Sequence, residues 1–329
     1  MTITQQDGLG TDLSSRRYDD VRDLLPDVDN PSPLVRLKRV LSDIESDIYL
    51  KLEWMNPFGS VKDRTAAYLL AGLEKRGLVD GRELVEASSG NTAIALAALA
   101  ALRGTRLTTT IPDGVPTEKK IILRMLGAEV WETPDDLCPV DNPKDGAIAL
   151  ARALAASEDG RRYAATQQYE NEDNTAAHYE TTGPEIWRQT DGRVRWFVAA
   201  YGTTGTVVGA GRYLKERNPS VRVVGVEPEP GHRLPGMKSF AEASEPEIFD
   251  RNAVDHGVVV ADEEAYDTTK ELWRREALMV GPSTGAVVAA IRRLPVEPDD
   301  VVVAISADSG NKYTSYFEDV LGEEGNPVI

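Results

Sequence analysis

The sequence is poor in cysteine and has no long apolar run. Its 329 residues include a single cysteine, Cys138, which excludes an intramolecular disulfide and is typical of a reducing compartment. No stretch of about eighteen apolar residues occurs, so no membrane-spanning helix is expected. The first thirty residues are polar and acidic, without the basic start and apolar stretch of a signal peptide. We therefore expect a cytoplasmic protein.

Basic charge is also scarce. Lys and Arg number 37 against 54 Asp and Glu, which gives a net charge of -17. Nucleic acid and anionic membrane surfaces are thereby disfavoured as partners. The acidic residues are scattered along the chain, which indicates a solvated acidic surface. A salt-rich cytoplasm, as in halophiles, would account for such a surface.

No internal repeat or low-complexity linker interrupts the chain. Short apolar runs alternate with small-residue turns and Ala-rich or amphipathic helical stretches, a pattern typical of a parallel sheet covered by helices. The predicted strands are 49–53, 83–87, 106–111, 129–132, 196–200, 221–227, 258–261 and 301–306. The predicted helices include 63–76, 92–103, 117–126, 146–156, 205–217, 262–277 and 286–293. The polar cluster at 170–174 is a candidate boundary of an inserted unit.

Four turns between strands and helices are the candidate chemical sites, because open α/β sheets bind ligands at the carboxyl ends of their strands. They lie at residues 56–62, 88–92, 202–206 and 281–285 and are rich in small or hydroxyl side chains.

The turn at 202–206 follows a strand and opens a helix. Its amides, its hydroxyls and the helix dipole suit a phosphate dianion. A tight turn without a ligand is the plain alternative. A P-loop is excluded because no Gly-Lys-Ser/Thr follows. A dinucleotide site would find its ribose-binding acid in Glu227, but the glycine spacing does not supply G-x-G-x-x-G.

Lys62 ends a turn that contains Asn-Pro and Gly-Ser, directly before a helix. A half-buried lysine near a phosphate-bearing aldehyde would have a lowered pKa and could form an imine. Taken alone, a lysine is far more often a surface charge.

The other two turns suit a carboxylate and a heteroaromatic ring. Amides and hydroxyls at 88–92 can bind a carboxylate at a helix N-terminus, and Asn91 can face a phenolic oxygen. Ser283 can hydrogen-bond a ring nitrogen without protonating it. Simple helix capping is the alternative for both turns.

The joint occurrence of these turns in this order resembles the β-family of pyridoxal-phosphate enzymes, and is most similar to cysteine synthases. The resemblance runs from Pro-Leu-Val-Arg-Leu at 33–37 to Asp-Ser-Gly-Asn-Lys-Tyr at 308–313. Its most specific part is Asn-Pro-x-Gly-Ser-x-Lys-Asp-Arg at 56–64, which matches the family's Schiff-base lysine motif.

The resemblance implies a role for each matched residue. Lys62 would carry the cofactor and act as the catalytic base, with Asn91 at the ring oxygen and Ser283 at the pyridine nitrogen. The cofactor phosphate would lie in the turn formed by Gly202, Thr203, Thr204, Gly205 and Thr206. The substrate carboxylate would be held by Ser88, Ser89, Gly90, Thr92 and Gln168. No metal is expected.

Two departures from the family pattern concern the substrate. The loop reads Ser-Ser-Gly-Asn-Thr-Ala at 88–93, where cysteine synthases usually have Thr-Ser-Gly-Asn-Thr-Gly. The phosphate turn and the stretch at 227–250 are similar to synthases that use O-phosphoserine, and Lys238 matches their phosphate-reading arginine. A lysine would bind phosphate as a point charge. An ordinary surface lysine is the alternative, and O-acetylserine stays open as the substrate.

The implied fold has two open, twisted, mostly parallel sheets flanked by helices, like the tryptophan synthase β-subunit, with pyridoxal 5'-phosphate in the cleft between them. A smaller mobile domain would span 46–170, and a larger one would span 1–45 and 171–329. The implied reaction is replacement of the β-substituent of an activated serine by sulfide, carried out by a homodimer. The alternatives are a cystathionine β-synthase-like enzyme, a hydroxyamino acid dehydratase, and, in another class, a dinucleotide-binding protein or a non-catalytic paralogue.

Overall fold

The computed structural model describes residues 17–135, 146–157 and 162–317. In these ranges ten strands lie in two sheets, so the predicted fold of two mostly parallel sheets flanked by helices is confirmed. Cys138 lies outside the described residues. Within the described ranges, no helix combines the length and the apolarity needed to cross a bilayer.

The larger sheet has six strands in the order β1-β2-β10-β7-β8-β9. All neighbours are parallel except β1 and β2. Its strands are β1 Leu34–Arg36, β2 Asp47–Leu52, β7 Val194–Ala200, β8 Arg222–Pro228, β9 His256–Val260 and β10 Val301–Ser306. All six residues of β10 are buried, as expected for a parallel strand covered on both faces.

The smaller sheet has four parallel strands in the order β5-β4-β3-β6. They are β3 Glu83–Ala87, β4 Leu107–Pro112, β5 Glu129–Thr133 and β6 Tyr163–Ala165. The predicted domain limits at 46 and 170 stay a prediction, and β2 lies in the larger sheet.

Helices cover both sheets. They are α1 Lys62–Lys75, α2 Asn91–Arg103, α3 Thr117–Met125, α4 Ala147–Ala156, α5 Asp173–Ala177, α6 Gly183–Gln189, α7 Gly205–Arg217, α8 Asp262–Glu276 and α9 Pro282–Ile291. One wide π turn, His178–Thr182, joins α5 to α6. Every residue of α9 is buried, which fits its nearly uniform apolar and small-residue composition.

Candidate active site

The four turns singled out in the sequence meet in one cleft between the two sheets. Lys62, Asn91, Thr203 and Ser283, one from each turn, line it together. The other predicted site residues that line the cleft are Ser89, Thr92, Gln168, Gly202, Thr206 and Lys238. Ser88, Gly90, Thr204 and Gly205 belong to the turns without lining the cleft.

Lys62 is the first residue of α1 and is positioned by a braced turn. The Asn56 amide donates to Glu53 Oε2 at 2.8 Å and to the Ser60 carbonyl at 3.0 Å. The Val61 amide donates to the Ala307 carbonyl at 2.8 Å, which ties the turn to the end of β10. The backbone before Lys62 is therefore held in place by hydrogen bonds within the turn and by the bond to the end of β10.

The environment of the Lys62 amine favours its neutral form. Burial lowers the pKa of Lys62 to about 8, and the nearby Asp308 carboxylate opposes this shift. Among the described residues, Lys62 Nζ has no hydrogen-bond partner. Since roughly a tenth of such amines are neutral at pH 7, Lys62 can act as a nucleophile or base.

The turn at 202–206 has a conformation that leaves little room for side chains. An added Cβ at Gly202 would lie 2.9 Å from the Gly236 carbonyl, and one at Gly205 would lie 2.2 Å from Asn174 Oδ1. Thr204 has a positive φ of 67°, and its hydroxyl donates to the Thr203 carbonyl at 2.6 Å. The hydroxyls of Thr203 and Thr206 thus remain at the cleft, beside the N-terminus of α7. That arrangement suits an anion.

The turn at 88–92 presents Ser89, Asn91 and Thr92 to the cleft. Ser88 Oγ accepts from the amides of Gly90 at 3.0 Å and Ala93 at 3.2 Å, so Ser88 shapes the turn. Gly90 has a φ of 115°, which favours glycine. Thr92 Oγ1 donates to Gln168 Oε1 at 2.6 Å, so this turn and Gln168 form one surface.

Ser283 and Lys238 face the same cleft from the larger sheet. Ser283 lies in the first turn of α9, and no partner for its hydroxyl occurs in the described part of the chain. Lys238 is only 5% exposed, so it is not an ordinary surface lysine.

Several buried polar residues at the cleft were assigned no role from the sequence. Asp308 accepts from Asn91 Nδ2 at 2.7 Å and from the Tyr313 hydroxyl, and Lys119 Nζ donates to the Tyr313 hydroxyl at 2.9 Å. The Asp308 side chain thus joins the turn before α2 to the end of β10. The motif at 308–313 was the only sequence signal for this cluster.

Asn174 and His178 were also missed as site residues. Both are fully buried and lie beneath the turn at 202–206. Within the described residues, no group of three or more His, Cys, Asp and Glu side chains is arranged to hold a metal.

Comparisons with known proteins agree with this geometry. The profile of the family described as pyridoxal-phosphate dependent enzyme matches residues 26–308. Cysteine synthase B of Escherichia coli is 42% identical over 295 residues, which cover 89% of this chain and 94% of that protein. The cysteine synthase of Aquifex aeolicus is 40% identical over 300 residues, which cover 88% of this chain and 90% of that protein.

Solved structures show the same fold. O-ureido-L-serine synthase superposes with a TM-score of 0.83 at 31% identity, covering 92% of this chain and 96% of that one. A hydrogen sulfide-producing enzyme from Fusobacterium nucleatum superposes with a TM-score of 0.81 at 30% identity, covering 90% of this chain and 100% of that one.

Proposed function

Because this chain belongs to the family of pyridoxal-phosphate dependent enzymes, we propose that it is a cysteine synthase that replaces the β-substituent of O-acetylserine or O-phosphoserine with sulfide. The single observation that carries the proposal is the position of Lys62. Its amine lacks a hydrogen-bond partner among the described residues, has a lowered pKa of about 8 and lies in one cleft with an anion-binding turn.

The cleft fits pyridoxal 5'-phosphate on three counts. Lys62 would hold the aldehyde, the turn at 202–206 would hold the phosphate, and Ser283 would donate to the pyridine nitrogen. At all three places the described residues leave polar hydrogens without protein acceptors. Asn91 would face the ring oxygen with the amide hydrogen that it does not give to Asp308.

Bound pyridoxal phosphate supplies an electron sink for negative charge at the α-carbon of an attached amino acid. Once the substrate amine has displaced it from the aldehyde, Lys62 Nζ would be free to take the Cα proton. It would return that proton after the β-substituent has left and sulfide has added to Cβ. Ser283 is a neutral donor, so it leaves the ring nitrogen unprotonated. The moderate sink that results suits loss of a β-leaving group.

The substrate carboxylate would be held by the turn at 88–92 together with Gln168. Ser89, Asn91 and Thr92 face the cleft at the N-terminus of α2, where the helix dipole favours an anion. Gln168 Nε2 donates to the Ala87 carbonyl at 2.7 Å, which fixes the side chain beside this turn. The unit built on the smaller sheet would close on this carboxylate and exclude water.

O-phosphoserine is the substrate that Lys238 favours. Its ammonium is buried in the same cleft, and burial strengthens its attraction for a phosphate leaving group. O-acetylserine offers no such charge.

We further propose a cytoplasmic homodimer in a salt-rich cell. The net charge of -17 supports the salt-rich setting, and no membrane-spanning helix occurs in the described residues.

Borohydride reduction followed by peptide mapping tests the proposal. The cofactor should become fixed on Lys62, and the purified protein should form cysteine from an activated serine and sulfide. Lys62→Ala should lose both properties, whereas Lys75→Ala, at the exposed end of the same helix, should keep them. A Lys62→Ala protein that keeps its visible absorbance and activity would refute the assignment. Cystathionine formation from homocysteine, without cysteine formation, would favour the related synthase.

A further inference from the structure

Asn174 lies beneath the turn at 202–206. The chemistry of its hydrogen-bond partners determines which of its side-chain atoms donates and which accepts. Its Nδ2 donates to the Gln168 carbonyl at 2.8 Å and to Thr203 Oγ1 at 2.9 Å. Because a carbonyl can only accept, the Nδ2 atom must be the one that faces Gln168. Its Oδ1 can only accept, so Thr65 Oγ1 donates to it at 3.0 Å.

This assignment fixes the tautomer of His178. Thr65 has one hydroxyl hydrogen, which it gives to Asn174, so it can only accept from His178 Nε2 at 3.3 Å. Nε2 therefore carries the proton, and it also lies 3.2 Å from Thr206 Oγ1. Nδ1 is left to accept from Thr182 Oγ1 at 2.8 Å. Burial, with the charges of Lys62 and Arg64, holds the pKa of His178 well below its usual range, so the ring is neutral.

Of the three hydroxyls in the turn, the two that line the cleft thus accept hydrogen bonds from below. Thr203 accepts from Asn174, and Thr206 accepts from His178. In the described part of the chain, neither hydroxyl hydrogen has an acceptor, and both side chains line the cleft. A threonine hydroxyl can otherwise present either a lone pair or a hydrogen to a ligand.

We propose that Asn174 and His178 are positioning residues that direct the hydroxyl hydrogens of Thr203 and Thr206 toward the phosphate group of the cofactor. The inference rests on the proposed role of the turn at 202–206. Hydroxyl donors that are oriented before the ligand binds lose no orientational freedom on binding. Their oxygen lone pairs also point away from the anion, so they do not repel it. Asn174 and His178 therefore act on the phosphate through the two threonines and do not touch it.

The test compares pyridoxal phosphate with pyridoxal, which lacks the phosphate group. Each is titrated into the full chain after removal of cofactor, and visible absorbance gives the two affinities. Asn174→Leu, which has a similar volume and no donor, should lower the ratio of the two affinities about tenfold, as expected for a weakened hydrogen bond to a charged group. Thr175→Val is the matched control, because Thr175 is buried beside Asn174 and its hydroxyl has no partner.

A double-mutant cycle separates this role from general packing. In a Thr203→Val background, Asn174→Leu should lower the ratio no further, since the hydroxyl that it orients is gone. Additive losses, or equal loss of affinity for both compounds, would overturn the inference. If the wild-type chain does not prefer pyridoxal phosphate to pyridoxal, the proposed phosphate turn fails. A wild-type preference that survives Asn174→Leu overturns the positioning role alone.

The unmodified holoenzyme provides a second test that needs no folded variant. The chain has 3 histidines, so histidine-selective 15N labelling gives few signals to assign. His178 should be neutral with its proton on Nε2 between about pH 6 and pH 9. A proton on Nδ1, or a charged ring at neutral pH, would overturn the inference.

His178→Gln, which keeps a donor, should preserve more of the affinity ratio than His178→Leu.

Discussion

Lys238 Nζ lies 4.6 Å from the centre of the Tyr169 ring, so its ammonium rests on an aromatic face. Tyr169 directly follows Gln168, and all three residues line the cleft. The contact gives a buried cation a fixed position near the proposed substrate carboxylate. From that position, the Lys238 ammonium would favour a substrate with a charged leaving group over one with a neutral leaving group.

Replacing Lys238 with alanine should raise the KM for O-phosphoserine about 10- to 100-fold, the loss expected for a hydrogen bond between charged groups. The KM for O-acetylserine should change little, because acetate departs from a neutral ester. Steady-state kinetics with both substrates measure the difference. Lys38→Ala, at an exposed lysine, should leave both values unchanged. Equal changes for the two substrates would remove Lys238 from this role.

The regular elements were largely predictable from the sequence. The structure gives α7 as Gly205–Arg217 and β10 as Val301–Ser306, the same limits as predicted, because small-residue turns and apolar runs mark their ends clearly. By contrast, α9 begins at Pro282, four residues before the predicted start. The Gly-Pro-Ser-Thr run is typical of a turn and was predicted as one. It can nevertheless begin a helix, because proline is well suited to the first helical turn. The short edge strands β1 and β6 were missed.

The predicted site turns were brought together in one cleft, but the polar groups that hold them were not foreseen. Asn91 and Asp308 bond across 217 positions of sequence, and Asn174 bonds to Thr203 across 29. Neither pair has a local sequence pattern, because each depends on how the two sheets pack. The orientation of the hydroxyl hydrogens is likewise a property of the folded network.

The Lys62 amine should react with added pyridoxal phosphate along a pH curve centred near 8. Burial lowers the pKa of Lys62 to this value, and the charge of Asp308 raises it in part. Asp308→Asn should therefore move the midpoint to lower pH. The rate of absorbance change after adding cofactor to stripped protein measures it. Asp299→Asn, on the exposed surface, should leave the midpoint in place. A midpoint near 10, the value of an exposed lysine, would contradict the burial argument.

Glu86 should make the protein less stable as the pH rises from about 4.5 to about 7. Its side chain is 2% exposed, and burial raises its pKa to about 7 from 4.5. In that interval the folded state keeps a proton that the unfolded state has lost, so the free energy of unfolding falls by an amount on the order of 3 kcal/mol. Glu86→Gln should remove this loss, and its gain over wild type should grow up to about pH 7.

Urea unfolding at several pH values measures the Glu86 effect. Glu229→Gln is the control, because that glutamate is exposed. The same pH slope in wild type and in Glu86→Gln would show that Glu86 does not cause it.

The acidic surface should make stability depend on salt. With a net charge of -17, repulsion between surface carboxylates opposes the folded state, and added cations screen it. The unfolding midpoint should therefore rise as KCl is raised from about 0.2 M to about 2 M. A midpoint that falls or stays constant would contradict a halophilic adaptation.

Arg64 should be among the residues whose loss most destabilises the fold. It lies two positions after Lys62, and its guanidinium bonds Glu53 at 2.7 Å and Glu185 at 2.8 Å, with Lys51 also 2.8 Å from Glu185. All four side chains are at most 1% exposed. Arg64→Met would leave two buried carboxylates with one lysine, so the free energy of unfolding should fall by about 3–5 kcal/mol.

The same substitution at Arg188 shows how much of the effect on stability comes from burial of the charge pair and how much from the pairing itself. Arg188 pairs with Asp29 at 3.0 Å, but the two side chains are 62% and 80% exposed. Exposed pairs contribute about 0–1 kcal/mol, so Arg188→Met should have little effect, and less still at high salt. Urea unfolding of both variants at two salt concentrations makes the comparison. If Arg64→Met cost no more than Arg188→Met, the buried network would not be what anchors the helix of Lys62 to the larger sheet.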